Sequence, residues 1–172
     1  YFAALRSLQE MHNNYFEELE TAVDDFVEEY YVNVEPPVAR MHLIDILIKK
    51  FYYTIDRESI QSFPELASFR SVFVKEKKRL YINSNLTQMQ QSFLIGKEIA
   101  FNYLKLNERP YTSNLFQVSS FEEVLNNFKA SYFSSAVLIN RTNFLEDLID
   151  FFGSKQWNQN ILINTMRQYN TT

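Results

Sequence analysis

The spacing of apolar residues predicts a mostly helical chain. In residues 2–32 apolar positions recur every three or four residues and no Gly or Pro interrupts them, which predicts one long amphipathic helix. Pro36 and Pro37 mark its end, because proline cannot continue a helix and restricts the residue before it. The same periodicity predicts further helices over 38–52, 87–106, 120–140, 141–153 and 158–170.

A different pattern, with short alternation, appears between the second and third of these helices. It predicts a strand near 52–56 and a β-hairpin over 69–84, whose turn is the charged run 75–79. The predicted fold class is therefore α+β, mostly helical, with a small antiparallel sheet packed on the helices.

Local signals place two of the helix starts. Thr87 is a predicted N-cap, and Ser120 with Glu123 fits a capping box. The helix 120–140 also carries a group of small residues that predicts close approach to another helix; these are Ala130, Ser131, Ser134, Ser135 and Ala136.

Composition fits a packed domain without cysteine chemistry. The 172 residues are 46% hydrophobic and 16% aromatic with only two glycines, which favours helices over tight-turned β structure. The absence of cysteine excludes disulfides and thiolate metal sites. A net charge of −4 argues against a nucleic-acid-binding face in this piece, and the acidic run 16–31 is interpreted as a solvated helix face.

The sequence also predicts the location of the protein and its division into domains. No apolar run approaches the ~18 residues of a membrane span, so we expect a soluble, cytoplasmic protein. The chain starts in helical rhythm without a methionine, and we expect it to be part of a longer protein. We divide it into a linker or dimerisation helix, 1–35, and a domain, 36–172. Packing of the first helix on its own domain is an equally weighted alternative.

The predicted helix 87–106 contains a segment that resembles a catalytic motif. Lys97-Glu98-Ile99-Ala100-Phe101 has the outline of the zinc-peptidase motif H-E-x-x-H without either histidine. That chemistry needs two imidazoles at i and i+4 to hold one metal, and a glutamate to deprotonate the bound water. An ammonium group and a phenyl ring cannot replace them. His12 and His42 lie in other segments and cannot restore the pair.

At this motif the chain resembles the ImmA/IrrE family of metallopeptidase-like domains. The order of helix, strand, hairpin, "QQSFLIGKEIAFNYL", loop and "NNFKASYFSSAVLIN" matches that family over about residues 38–140. The resemblance puts Glu98 on the catalytic glutamate, Lys97 and Phe101 on the two histidine ligands, and the third, acidic ligand within 126–129, where no carboxylate occurs. It also aligns Phe93 with the motif, and a second helix with Ala130, Phe133, Ser134, Leu138 and Ile139. We therefore expect no catalytic residue, no metal and no cofactor.

The runs "FLIGKEIAFNYLKLNERP" and "VLNNFKASYFSSAVLI" are similar to one group within this family. Its members are bacterial transcriptional regulators with an N-terminal helix-turn-helix domain of the XRE type, associated with short-chain fatty-acyl metabolism. The resemblance implies a non-catalytic, ligand-sensing or dimerising domain that is a homodimer and contacts DNA only through a helix-turn-helix domain outside these residues.

This hypothesis reuses the former active-site cleft as a pocket for a short-chain acyl-CoA or a carboxylate. Cationic groups would bind the anion and aromatic rings would wall the acyl chain. The candidate pocket residues are Lys97, Glu98, Phe101, Lys129, Tyr132 and Phe133. In a purely structural role, Glu98 would instead pair with Lys97, Lys129 or Arg141. A metallopeptidase with an unusual ligand set and a pure protein-interaction module are the competing functional hypotheses.

Overall fold

The computed structural model describes residues 1–35, 37–113, 118–139, 141–153 and 158–169. Pro36, Asn140 and Asn170, which belong to predicted boundaries or helices, lie outside these ranges. The helices and strands, in chain order, are α1 (Phe2–Met11), α2 (Glu17–Tyr30), α3 (Arg40–Phe51), β1 (Thr54–Asp56), β2 (Ser71–Val74), β3 (Arg79–Ile82), α4 (Gln88–Tyr103), α5 (Phe121–Leu138), α6 (Arg141–Gly153) and α7 (Gln159–Gln168). The α+β fold class and the predicted helices after residue 36 are confirmed.

The single helix predicted over 2–32 is wrong, because the chain turns between α1 and α2. Asn13 and Asn14 adopt left-handed backbone angles, with φ of 50° and 58°. Asparagine tolerates this conformation better than other residues with a Cβ, so two adjacent asparagines end a helix without glycine or proline.

The two helices differ in how they pack. α1 buries no residue, whereas α2 buries Leu19, Val23 and Phe26. The Phe26 ring is fully buried, with its centroid 5.3 Å from that of Phe133 in α5 and 5.2 Å from that of Tyr103 in α4. α2 therefore shares one hydrophobic core with the rest of the fold. The linker or dimerisation role of residues 1–35 stays a prediction.

The sheet has three strands in the order β1-β3-β2. The hairpin of β2 and β3 is antiparallel, as predicted. β1, however, pairs with β3 in parallel, so the sheet is mixed and the prediction of an antiparallel sheet was wrong for this strand. Two 3₁₀ turns, Ser59–Ser62 and Pro64–Leu66, lie in the connection that carries the chain from β1 to the far edge. The central strand is covered on its inner face, where Leu80 and Ile82 are fully buried.

The predicted caps of α4 and α5 are present. Thr87 forms a complete capping box with Gln90: its hydroxyl accepts from the Gln90 N–H, and the Gln90 side chain accepts from the Thr87 N–H. Ser120 accepts from the Glu123 N–H at 3.0 Å, but the Glu123 carboxylate accepts from the N–H of Ser119 instead of that of Ser120. No helix in the described ranges is long and apolar enough to cross a membrane.

α4 and α5 form the central helix pair, and Gly96 marks their closest approach. The Ser134 hydroxyl of α5 donates to the Phe93 carbonyl of α4 at 2.7 Å. A Cβ on Gly96 would collide with that hydroxyl oxygen and lie 3.2 Å from the Ser134 Cβ. The small residues of α5 thus allow the close approach that the sequence predicts.

We expect Gly96→Ala to destabilise the protein by about 1–3 kcal/mol, the typical cost of overpacking a core. Alanine's better helix propensity, worth about 1 kcal/mol, offsets part of this cost. Urea unfolding followed by circular dichroism measures the change.

Gly153→Ala is the matched control, because nothing lies within 4 Å of a Cβ at that position. We expect it to leave the free energy of unfolding unchanged or to raise it slightly. Equal effects of the two substitutions would contradict the close contact between Gly96 and Ser134.

Candidate functional site

The carboxylate of Glu98 is held by an arginine that the motif does not contain. Arg109 lies in the loop after α4 and binds Glu98 with both guanidinium branches, at 2.5 Å from Nη2 to Oε1 and 2.9 Å from Nη1 to Oε2. Each side chain is only 8% exposed. Such bidentate pairs of ionised groups are the strongest side-chain hydrogen bonds in proteins.

Aromatic rings fix the position of this arginine. The guanidinium lies 3.8 Å from the ring centroid of Phe101 and 4.6 Å from that of Phe73, which is a cation–π arrangement. Main-chain bonds hold its loop beside β2, from the Phe73 N–H to the Tyr111 carbonyl at 2.7 Å and from the Ser113 N–H to the Ser71 carbonyl at 3.0 Å. Phe101 stands at the position that the motif gives to its second histidine, and its ring packs against the arginine.

Two further side chains complete the surroundings of Glu98. The Tyr53 hydroxyl donates to Oε2 at 3.2 Å, and the Asn102 amide donates to that hydroxyl at 2.9 Å and to the Glu98 carbonyl at 2.7 Å. Burial, and then the Glu98 charge, raise the pKa of Tyr53 to about 12, so the hydroxyl remains protonated. The Glu98 carboxylate is thus engaged by protein donors and buried away from solvent.

Lys97 points to the stretch where the resemblance expects an acidic metal ligand. Its Nζ donates to the Asn127 Oδ1 at 2.8 Å. Burial lowers the pKa of Lys97 to about 8, with Glu98 opposing this shift and Arg109 adding to it. The neighbouring Asn126 is buried and donates to the Glu108 carbonyl at 2.9 Å, which ties α5 to the loop that carries Arg109.

The space at the motif of α4 is filled by these side chains. The cavity between Lys97, Glu98, Phe101, Arg109 and Asn127 has a volume of about 20 Å³, enough for about one water molecule. An acyl chain or a peptide cannot enter it. The cleft expected to serve as a ligand pocket is therefore closed at its centre.

The six predicted pocket residues do not share one site. The structure brings together Lys97, Glu98 and Phe101. Phe133 is fully buried in the core, Tyr132 donates to Glu20 of α2 at 2.5 Å, and Lys129 lines a separate cavity beside α1. The structural hypothesis for Glu98 was right that it is paired but wrong about the partner, which is Arg109 instead of Lys97, Lys129 or Arg141.

A larger pocket lies on the other side of Lys97. It has a volume of about 400 Å³, and its lining combines the cations Lys97 and Arg70 with apolar side chains. No carboxylate occurs among the described residues that line it. The apolar part is formed by Met89, Phe93, Leu94, Leu138 and Ile139.

The donor set does not suit a metal ion. Within the described ranges no group of three His, Asp or Glu side chains could hold one. His42 is hydrogen-bonded to the Tyr30 carbonyl at 2.8 Å, and the His12 ring stacks on Phe16. Both histidines have structural surroundings and lie outside the site.

Comparison with known proteins identifies the scaffold. The sequence signature of the IrrE N-terminal-like domain matches residues 49–166, more than half of the chain. The chain belongs to the IrrE N-terminal-like domain family. No curated protein matches the sequence.

The fold of this IrrE-like chain is also that of a solved protein, a Mycobacterium tuberculosis transcriptional regulator. The TM-score is 0.72 at 15% sequence identity, over 99% of this chain. The alignment covers 49% of the regulator, so the chain spans about half of its length. At this identity the similarity shows the fold.

We expect Arg109→Met to cost about 3–5 kcal/mol of stability, because it leaves the Glu98 charge buried without a partner. The double variant Glu98→Leu/Arg109→Met removes both charges, and we expect it to recover much of the loss. Urea unfolding of the two single variants and the double variant measures their coupling energy.

Lys49→Met is the control, since its pair with Asp45 is exposed and contributes only about 0.3–0.5 kcal/mol. A double variant as unstable as Arg109→Met alone would show that the loss does not come from an unpaired charge.

Proposed function

We propose that this IrrE-like chain is a non-catalytic, ligand-sensing module of a transcriptional regulator. The observation that carries the proposal is the bidentate pairing of Glu98 with Arg109. A general base must accept a proton from a metal-bound water. Here the only carboxylate of the motif is bound to a guanidinium, and an ammonium and a phenyl group stand at the histidine positions. The same fold in a transcriptional regulator supports a regulatory role.

The pocket beside Lys97 supports the sensing part of the proposal. Its volume of about 400 Å³ suits a small ligand, and its lining pairs two cations with an apolar wall. A short-chain carboxylate, or the acyl part of an acyl-CoA, has the matching chemistry: its anionic group would bind Lys97 and Arg70, and its chain would contact Leu138 and Ile139. Of the six candidate pocket residues, Lys97 alone lines this pocket.

The protonation state of Lys97 would make anion binding at such a site depend on pH. Its pKa of about 8 means that the amine is mostly charged at neutral pH, although its surroundings favour the neutral form. An anion bound beside it would stabilise the charged form and raise this pKa. Binding would then be tighter below pH 8 and weaken as the pH rises above it, because the amine must first take up a proton.

We expect short-chain carboxylates such as butyrate to raise the melting temperature, and the alcohols of equal length to leave it unchanged. The shift should shrink above pH 8. We expect Lys97→Met to abolish the shift and Lys129→Met to preserve it, because Lys129 lines a different cavity. Differential scanning fluorimetry with carboxylates, acyl-CoAs and alcohols measures these effects. If no anion changes the melting temperature, the sensing role is contradicted while the non-catalytic role stands.

The proposed function also includes contact with DNA and with a second copy of the chain. DNA contact would come from a helix-turn-helix domain outside these residues, and the module would be a homodimer that uses residues 1–35. The exposed apolar side chains of α1, among them Phe2 and Met11, support such a contact. A pure protein-interaction module would share this surface but would not respond to small anions.

Because the chain belongs to this family, one competing hypothesis is a metallopeptidase with a non-standard metal site. We expect purified protein to retain no stoichiometric zinc after dialysis and to cleave no unfolded protein substrate, because its donor set lacks the required ligands. Elemental analysis and a casein-cleavage assay measure both properties. Zinc at one equivalent that survives dialysis would overturn the non-catalytic role.

A further inference from the structure

A wide groove runs between α2, α5 and α6, next to the proposed sensing pocket, with which it shares Ser135 and Ile139. Its volume is about 900 Å³. We call it the α2–α6 groove and define it by Val23 and Asp24 of α2, Ser135 of α5, and Leu145 and Ile149 of α6.

An uncovered apolar face of α6 begins in the wall of this groove and continues beyond it to Phe152. Leu145, Ile149 and Phe152 follow each other at spacings of four and three residues along α6, so they lie on one face. Their exposed fractions are 47%, 71% and 77%. α6 buries no residue, unlike the neighbouring α5. An apolar stripe of this kind indicates an interaction surface.

The floor of the groove permits close approach of another helix. Ser131 and Ser135 of α5 line it one turn apart, with Ala136 beside them. Small side chains at a contact let helix axes come closer together. A groove with a small-residue floor and apolar walls is the typical acceptor of an amphipathic helix, which inserts anchors at i, i+3 or i+4, and i+7.

The charges around the groove favour a helix with basic residues. Three carboxylates line the groove, Glu20 and Asp24 of α2 and Glu146 of α6. The one cation among the described residues that line the groove is Arg141. Its guanidinium donates to the Tyr15 hydroxyl at 3.2 Å and lies 5.3 Å from the centroid of that ring. It also interacts electrostatically with Glu20 and Asp24, and the three carboxylates leave the rim with a net negative charge.

We propose that the α2–α6 groove binds an amphipathic helix whose apolar face is flanked by lysine or arginine. The apolar face would pack on Leu145 and Ile149, and its cations would lie beside Glu20, Asp24 and Glu146. A second copy of the chain fits this groove less well, because two acidic rims would repel each other, and the proposed dimer contact through α1 lies outside the groove. The proposal does not depend on the sensing role of Lys97.

A pair of synthetic helical peptides tests this assignment with the full 172-residue chain. Both carry the same leucine stripe; one has lysine and arginine on its flanks, and the other has glutamate. We expect the basic peptide to bind at least about tenfold more tightly than the acidic one, and its binding to weaken as salt is added. Fluorescence anisotropy of labelled peptides measures both affinities.

Variants locate the binding site. We expect Ile149→Asp and Asp24→Lys each to weaken binding of the basic peptide about tenfold, the loss that truncating an interface anchor typically produces. Met41→Asp on α3 and Glu65→Lys in a 3₁₀ turn change exposed residues outside the groove and should leave binding unchanged. Circular dichroism checks that each variant remains folded.

Equal binding of the basic and acidic peptides would overturn the proposal. So would equal losses for Ile149→Asp and Met41→Asp, because the peptide would then bind elsewhere. Sedimentation supplies the remaining test: if the free chain is a dimer that Ile149→Asp converts to a monomer, the groove holds a second copy instead.

Discussion

A single buried ion pair, between Glu98 and Arg109, organises the centre of this fold. Two opposite charges removed from water are stable only when geometry and additional hydrogen bonds compensate for their lost hydration. Here the compensation comes from several elements at once. Tyr53 precedes β1, Phe73 belongs to β2, and Phe101 shares α4 with the carboxylate. The sheet, the central helix and the following loop are thus held by one desolvated contact.

The same contact belongs to a set of buried contacts at the positions where the family motif has histidines. Phe101 packs against the Arg109 guanidinium, and Lys97 donates to Asn127. Histidines placed at 97 and 101 would remove these contacts and leave Arg109 bound to Glu98. A metal site there would need several coordinated changes, because a single change would leave a buried polar group uncompensated.

Local sequence signals predicted the elements well. Thr87 and Ser120 could be predicted as helix starts because an N-cap side chain bonds a backbone N–H only three residues away. The hairpin could be predicted from the alternation of apolar and polar residues and from its charged turn. The break at Asn13 and Asn14 was missed because the apolar periodicity continues across it, although adjacent asparagines are themselves a turn signal. The parallel pairing of β1 with β3 was missed because register across a long connection leaves no periodic signal.

The residues of the candidate site could also be predicted only in part. The motif at 97–101 was recognisable because its members share one helix, and helix spacing can be counted along the sequence. Arg109 could not be found in this way: it lies eleven residues from Glu98, in a loop whose path is set by pairing with β2. Asn127 was inside the stretch expected to supply a metal ligand, but an amide gives no indication that it will bind an ammonium. Long-range polar contacts depend on the assembled fold.

One turn of α5 separates the two surfaces proposed to bind partners. Ser135 and Ile139 line both the pocket of Lys97 and the α2–α6 groove. A ligand that moved these side chains from one side would change the shape of the other side. Thermodynamic linkage makes such an effect reciprocal, so any factor by which a small anion alters the affinity for a helix is the factor by which that helix alters the affinity for the anion. Coupling across a wall one helix thick would need no large movement of the domain.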